Sequence, residues 1–129
     1  MQHKTLEYQK NTIHYYISKK ENFSNTLLFA HGLTADYSMF EKQVEYFKDK
    51  INIILWDMPL HGKSKNCDFF SYNDNSDIMY NILKEENINY VTLAGMSMGG
   101  WTCQFFAAKY HNMVSGFIAI DTTPLNYKY

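Results

Sequence analysis

The sequence predicts an α/β fold, with a mostly parallel sheet, helices on both of its faces and an N-terminal hairpin. Strand-like and helix-like segments alternate along the chain, which favours parallel β-α-β units. The predicted strands are nearly continuous apolar runs, as expected where both faces of a sheet are covered. The composition is that of a globular domain, since 46% of the 129 residues are hydrophobic and 19% are charged.

The elements are predicted in order along the chain. The patterns at 5–9 and 12–18 predict the hairpin, with Lys10-Asn11 as its two-residue turn. Residues 26–30 are the first predicted strand of the parallel part of the sheet. Helices and strands are then predicted at 37–48, 51–56, 75–86, 90–94, 99–110 and 114–120. Asp36 is the candidate N-cap of the first of these helices.

Aromatic side chains mark two of the later segments. The predicted loop 60–75 contains three of them, and it either borders a substrate cleft or is a loose connector. The predicted helix 99–110 is apolar on all sides, which is typical of a central buried helix. We therefore expect Trp101, Phe105 and Ala108 to lie in the core.

The most informative motif is Gly95-Met96-Ser97-Met98-Gly99, between a predicted strand and a predicted helix. A serine between two glycines at such a turn is the pattern of a nucleophile elbow. The sharp turn strains the serine and lifts its hydroxyl clear of the sheet, and larger side chains at 95 or 99 would collide there. Ser97 is the candidate nucleophile, with Gly95 and Gly99 as supports. For the pentapeptide alone, an ordinary glycine-rich turn is the alternative.

A second motif, His31-Gly32-Leu33, opens the loop after strand 26–30. The tetrahedral intermediate of acyl transfer needs two backbone N–H donors. One belongs to the residue after the nucleophile, Met98, and the other to a loop after an earlier strand, for which Leu33 is the candidate. We predict that His31 anchors this loop and is not catalytic, since it precedes the nucleophile, and that Gly32 supports the loop.

A third motif runs from Asp57 to Ser64, where an apolar strand enters a turn set by Pro59 and Gly62. Asp57 and His61 have side chains that catalysis could use. We favour the alternative that both hold this loop beside the active site.

These three motifs together resemble the α/β-hydrolase superfamily. The resemblance is carried by His31-Gly32, by the D-x-P-x-H-G-x-S string at 57–64, and by the elbow around Ser97. It implies a single partial domain over residues 1–129, with about six of eight strands and without the lid. It also implies a serine hydrolase acting on carboxylic esters or thioesters, similar to carboxylesterases, lipases and thioesterases, with no cofactor and no metal. A serine at 97, in place of an aspartate, argues against the dehalogenase and epoxide-hydrolase branches.

The sequence departs from the family pattern at the catalytic histidine. The family's triad runs in the order nucleophile, acid, histidine. His111 is the one histidine after Ser97, and we expect it at the far end of a helix about 18 Å long. Asp121 follows strand 114–120 and could serve as an acid, as in some family members, but we favour the alternative that it caps Thr122, Thr123 and the turn at Pro124. We expect the 129-residue chain to be poorly active, and a non-catalytic fragment or binding module that retains the elbow is the alternative.

Charge and composition exclude several classes of partner. The net charge of −1 gives no electrostatic footprint for nucleic acid. No apolar stretch approaches the length of a membrane span, and the first residues lead into no signal sequence. Two cysteines without metal-ligand spacing fit a reducing compartment, so a cytoplasmic location is predicted. Besides the small-molecule substrate, we expect self-association through strand 114–120 as an exposed sheet edge.

Overall fold

A six-stranded sheet in the order β1-β2-β4-β3-β5-β6 organises residues 1–125, the part of the chain that the computed structural model describes. The hairpin β1-β2 is antiparallel and pairs antiparallel with β4, while β3, β4, β5 and β6 run parallel. The strands are Gln2–Tyr8 (β1), Asn11–Ser18 (β2), Thr26–Ala30 (β3), Asn52–Trp56 (β4), Val91–Met96 (β5) and Val114–Ile120 (β6). The predicted α/β class, with its mostly parallel sheet and N-terminal hairpin, is confirmed.

Three α-helices cover the sheet: Glu41–Phe47 (α1), Tyr72–Glu85 (α2) and Met98–Lys109 (α3). A 3-10 turn precedes α1, and the Asp36 carboxylate caps it by accepting the Ser38 N–H at 2.9 Å. The helix α2 begins three residues earlier than predicted, because Ser71 Oγ accepts the Asp74 N–H at 2.9 Å and caps the helix there. None of the helices in the described part of the chain is long and apolar enough to cross a membrane.

Alternate side chains of the central strands form two cores, one on each face of the sheet. Every residue of β3 and β4 is buried. Leu28, Ile54 and Trp56 pack on one face with α2 and α3. Leu27 and Phe29 pack on the other face with α1 and the turn before it. This two-sided burial explains why these strands are apolar throughout and do not alternate.

The hairpin turn is shifted by one residue from its predicted position. Gln9 and Lys10 form the turn, with φ of +47° and +63°. Two consecutive positive φ values are those of a type I′ turn, whose twist matches the flanking strands. Asn11 opens β2 and donates its side-chain amide to the Gln9 carbonyl at 2.9 Å, so the asparagine stabilises the turn from its flank.

The predicted burial of one side of α3 is wrong. Trp101 is 37% exposed and Ala108 is also exposed, whereas Cys103 and Phe106 are fully buried. The helix is apolar around its whole circumference, so its sequence does not show which side faces the sheet. In the structure the side that carries Thr102, Cys103 and Phe106 is buried.

Candidate active site

Ser97 occupies the turn between β5 and α3. Its backbone has φ +50° and ψ −115°, a strained conformation for a residue with a side chain. Its N–H donates to the Ile120 carbonyl at 2.9 Å, and its carbonyl accepts from the Gly100 N–H at 2.9 Å and the Thr122 hydroxyl at 2.8 Å. The residue is exposed. The turn therefore fixes the backbone on both sides and leaves the serine open to solvent.

Close approaches of the backbone explain the two glycines that flank this turn. A Cβ atom on Gly99 would lie 2.0 Å from the Ala30 carbonyl oxygen, so the first turn of α3 lies directly against the end of β3. A Cβ atom on Gly95 would lie 2.6 Å from the Gly99 carbonyl oxygen. Both distances are far below a van der Waals contact, so glycine is required at each position.

The loop after β3 passes beside the serine. A Cβ atom on Gly32 would lie 3.8 Å from the Ser97 Cβ, an ordinary contact. Leu33 follows directly and is 66% exposed. Within residues 1–125, neither the Leu33 nor the Met98 N–H is paired among the backbone hydrogen bonds of turns and loops. Met98 is the first residue of α3, where the helix dipole favours negative charge.

His31 is fully buried and joins two loops through its ring. The Met58 N–H donates to Nε2 at 3.0 Å, so Nε2 is unprotonated and the proton is on Nδ1. Nδ1–H then donates to the Gly32 carbonyl at 2.8 Å. Burial lowers the pKa of His31, and the hydrogen bond to Gly32 and the charge of Asp57 oppose this shift only in part. The neutral ring ties the loop after β3 to the loop after β4.

Asp57 organises the loop after β4 from inside. Its carboxylate is fully buried and accepts the N–H groups of Tyr37 and Lys63, each at 2.9 Å. A Cβ atom on Gly62 would lie 2.4 Å from the carboxylate carbon, and Gly62 has φ +50°. His61 lies next to this turn, with its ring centroid 5.0 Å from that of His31. These contacts are those expected if Asp57 and His61 hold the loop after β4 in place.

Asp121 lies at the carboxyl end of β6, one residue after the carbonyl that accepts the Ser97 N–H. The residue is exposed and has φ +45°. Its carboxylate accepts no hydrogen bond from the described residues, so no such contact supports its interpretation as a cap of the turn at Pro124. The end of β6 therefore presents a carboxylate near the serine turn.

The structure does not bring a histidine after Ser97 to the site. His111 lies in a 3-10 turn after the twelve-residue α3, at the end opposite Ser97. A helix of that length measures about 18 Å. The placement of His111 is as predicted.

Sequence reasoning missed a set of contacts between α3 and the segment after β6. Gln104 donates to the Thr123 carbonyl at 2.9 Å and accepts the Leu125 N–H at 3.0 Å. Trp101 Nε1 lies 3.2 Å from both the carbonyl and the hydroxyl of Thr123. These contacts hold the segment that follows Asp121 against the helix that begins at the serine. No local pattern in the sequence indicates them, because they join residues about twenty positions apart.

The site offers no metal centre of the usual kind. Within residues 1–125, no three or more His, Cys, Asp or Glu side chains are grouped to hold an ion. Cys67 and Cys103 are buried free thiols, and burial raises the pKa of both.

The sheet order and the strained serine turn define an α/β protein. Its candidate nucleophile, Ser97, lies at the carboxyl edge of the parallel strands. The sequence model of the α/β-hydrolase fold matches residues 25–129, and the chain belongs to this family. The resemblance found from the sequence motifs is thereby confirmed.

Two curated proteins and one solved structure show what the chain is similar to. The chain is 27% identical over 121 residues to a putative esterase/lipase of Haemophilus influenzae, covering 92% of this chain and 42% of that protein. It is 30% identical over 99 residues to the 2-(acetamidomethylene)succinate hydrolase of Mesorhizobium japonicum, covering 76% and 36%. A thermophilic esterase from Thermogutta terrifontis has a similar fold, with a TM-score of 0.81 at 23% identity, over 95% of this chain and 46% of that one. The chain thus spans about two fifths of the length of the curated relatives it matches.

Proposed function

We propose that the chain carries the nucleophile and oxyanion hole of a serine hydrolase for carboxylic esters or thioesters. Ser97 attacks the carbonyl carbon, and the amides of Leu33 and Met98 bind the oxyanion. The observation that carries this proposal is the Ser97 conformation of φ +50° and ψ −115° at the start of α3. The serine is exposed there, and within residues 1–125 the amides of Leu33 and Met98 take part in no backbone hydrogen bond of a turn or loop. Relatives named as esterases and hydrolases support the reaction class.

The proposed reaction begins when the Ser97 hydroxyl adds to the carbonyl and gives its proton to a base. Collapse of the intermediate breaks the bond to the leaving group and forms an acyl-enzyme, which water then hydrolyses. The base in such enzymes is a histidine oriented by a carboxylate. We propose Asp121 as a carboxylate for this role. His31 is unsuited as the base, because both of its ring nitrogens are engaged with the backbone.

The 129-residue chain is expected to turn over esters slowly. We treat it as one partial domain, in which the only histidine after Ser97 lies at the far end of α3. Loss of a triad member costs on the order of 10⁴–10⁶ in kcat, whereas the oxyanion hole alone retains part of the acceleration. Covalent capture of Ser97 is therefore a more sensitive test than turnover.

The test is labelling of the pure chain by a fluorophosphonate, followed by peptide mass spectrometry. We expect a slow adduct on Ser97 and none in Ser97→Ala, because the oxyanion-hole amides stabilise the phosphonyl oxygen even when no histidine activates the serine. Ser115→Ala is the matched control, since Ser115 is an exposed serine on β6 outside the elbow, and it should label like the unmodified chain. The unmodified chain and Ser115→Ala should also hydrolyse p-nitrophenyl acetate slowly, and Ser97→Ala should not.

Labelling that is equal in the unmodified chain and in Ser97→Ala would contradict the serine mechanism. An unlabelled but folded chain would favour the alternative of a non-catalytic module that retains the elbow.

We further propose a cytoplasmic location and self-association. The two free, buried thiols fit a reducing compartment. The strand β6 pairs with β5 alone among the described strands and exposes 37% of Phe117 and 49% of Ile118. An unpaired apolar edge is a template for another strand. The substrate is a small molecule, and the proposed reaction needs no cofactor.

A further inference from the structure

Two histidines face each other across the N-terminal hairpin, away from the serine. His3 is on β1 and His14 on β2. The register pairs His3 with Tyr16 and Thr5 with His14, so the two histidines occupy diagonal positions on the same face of the sheet. Their nearest ring nitrogens, Nε2 of His3 and Nδ1 of His14, are 2.8 Å apart.

This separation suits two ligands of one metal ion. A divalent transition metal binds imidazole nitrogen at about 2.0–2.1 Å, which places two neighbouring nitrogens about 2.9 Å apart at a right angle and about 3.4 Å apart at the tetrahedral angle. The two rings meet edge to edge, with centroids 5.0 Å apart and an interplanar angle of 25°, so an ion replaces the shared proton only when both rings turn away from the line that joins the two nitrogens. His3 is exposed and His14 is partly buried.

Neighbouring rings hold the pair in place. The His3 ring stacks on Tyr16 with a centroid distance of 4.8 Å and an interplanar angle of 14°. Tyr16 in turn stacks on Tyr37 at 3.7 Å. Tyr16 is 5% exposed, so the base of this stack is a fixed part of the fold.

Two charged groups lie near the pair. The Asp57 carboxylate, which accepts the Tyr16 hydroxyl at 3.4 Å, favours a bound cation. Lys63, whose Nζ lies 6.0 Å from the Tyr16 ring centroid, opposes it.

The geometry points to a site for a divalent first-row transition metal ion, held by Nε2 of His3 and Nδ1 of His14, with water in its remaining positions. No third His, Cys, Asp or Glu joins the two histidines in the described residues. The ion joins β1 to β2 and stabilises the hairpin. This site is independent of Ser97 and of the proposed hydrolase reaction.

The experiment titrates the 129-residue chain with Zn²⁺ against a chromophoric chelator at pH 7.5. We expect one ion per chain. His3→Ala and His14→Ala should each weaken binding by at least the 10- to 100-fold that even outer-shell changes cost at metal sites. His111→Ala is the matched control, because His111 is exposed and lies beyond the end of α3, and it should bind like the unmodified chain. Saturating Zn²⁺ should raise the melting temperature of the chain and of His111→Ala only.

Spectroscopy with Cu²⁺ gives a second readout that does not depend on affinity. The electron paramagnetic resonance spectrum should show coupling to two imidazole nitrogens in the unmodified chain and to one after either substitution. Zinc binding that survives His14→Ala, or a spectrum with fewer than two imidazoles, would overturn the proposal, since His3 would then act without its partner. Equal binding by all variants would place the ion elsewhere and would overturn it as well.

Discussion

A single imidazole, that of His31, holds two loops together only while it is neutral. Its Nε2 accepts the Met58 N–H and its Nδ1–H donates to the Gly32 carbonyl. A second proton on the ring would replace an acceptor with a donor that faces another donor. Because a Cβ atom on Gly32 would lie 3.8 Å from the Ser97 Cβ, the protonation of His31 also bears on the loop beside the serine.

We predict that the chain loses stability as the pH falls from about 7 to 5. The folded pKa of His31 is lowered by burial from its ordinary 6.5. The unfolded chain therefore binds the extra proton first, so this stability is complete above pH 6.5 and is lost as the pH falls below it, by at most about 1.4 kcal/mol per pH unit and proton. Urea unfolding at several pH values between 5 and 8 measures this slope.

The matching variants separate His31 from other titrating groups. His31→Gln should be less stable at pH 8 and should show a shallower dependence between pH 5 and 7, while His111→Gln should keep the full slope. The lowered pKa of His14 contributes in the same direction and remains in both variants. The carboxylates with lowered pKa values, Asp36, Asp49 and Asp77, titrate below this window. An unchanged slope in His31→Gln would contradict the assignment.

The positions of individual residues could be predicted from the sequence where a motif allows only a few residue types. The positions of Ser97, Gly95 and Gly99 at a strand-to-helix turn follow from their spacing, and the structure places them in that turn. The exposed position of Trp101 was not predictable, because α3 is apolar on all sides and its sequence does not show which side faces the sheet. The catalytic roles of Ser97, Leu33, Met98 and Asp121 remain predictions.

At the scale of elements, the closest backbone approach at any glycine is that between α3 and β3, at Gly99. A Cβ atom on Gly99 would meet the Ala30 carbonyl oxygen at 2.0 Å and its carbon at 2.5 Å. Both atoms belong to the backbone of a central strand, so they cannot turn aside as a side chain would. The helix must move away from the sheet before any larger residue fits.

We predict that Gly99→Ala destabilises the fold by about 3 kcal/mol or more, the upper end of overpacking costs. Gly116→Ala is the matched control, because a Cβ atom there would lie 3.6 Å from the nearest atom, in the Thr92 side chain. Its effect should stay within about 1 kcal/mol, as its strand position also favours a side chain. Chemical denaturation of both variants measures the difference. Equal stabilities would show that α3 and β3 are not in the contact described.

The elements themselves were largely predictable from periodicity, whereas several of their ends were not. The strands 26–30 and 114–120 lie where the sequence predicts them. The start of α2 differs because Ser71 acts as its cap, and the hairpin turn differs because Gln9 and Lys10 adopt positive φ. Glutamine and lysine are not the usual residues of a type I′ turn, whereas asparagine is common there. The sequence therefore favours Lys10-Asn11 as the turn residues.

For the whole molecule, the outer side of β6, which pairs with no other strand of residues 1–125, bears on the predicted behaviour in solution. The strand β6 carries no lysine, proline or acidic residue that would discourage pairing. We predict that the pure chain self-associates with rising concentration and that Ile118→Lys, which charges this edge, shifts it toward the monomer. Multi-angle light scattering measures the change, with Tyr46→Lys, at an exposed position of α1, as the control. A monodisperse monomer at high concentration would contradict this prediction.

The overall architecture was predictable because each local signal agrees with the same sheet. Apolar strands, helical patterns and turn residues all favour parallel β-α-β units, whereas the order of the strands within the sheet was not predicted. Burial on each face of the sheet was less predictable, since Leu27 and Leu28 have identical side chains and pack in different cores. Only the register of the strands assigns each to its face.

The turn at Ser97 is hydrogen-bonded to the end of β6, the outermost strand of the sheet. The Ser97 N–H is bound to the carbonyl of Ile120, the last residue of the outermost strand, and the Thr122 hydroxyl returns to the Ser97 carbonyl. We therefore expect a strand that pairs with the outer side of β6 to restrain the turn at Ser97 as well, because the Ile120 peptide group joins the two.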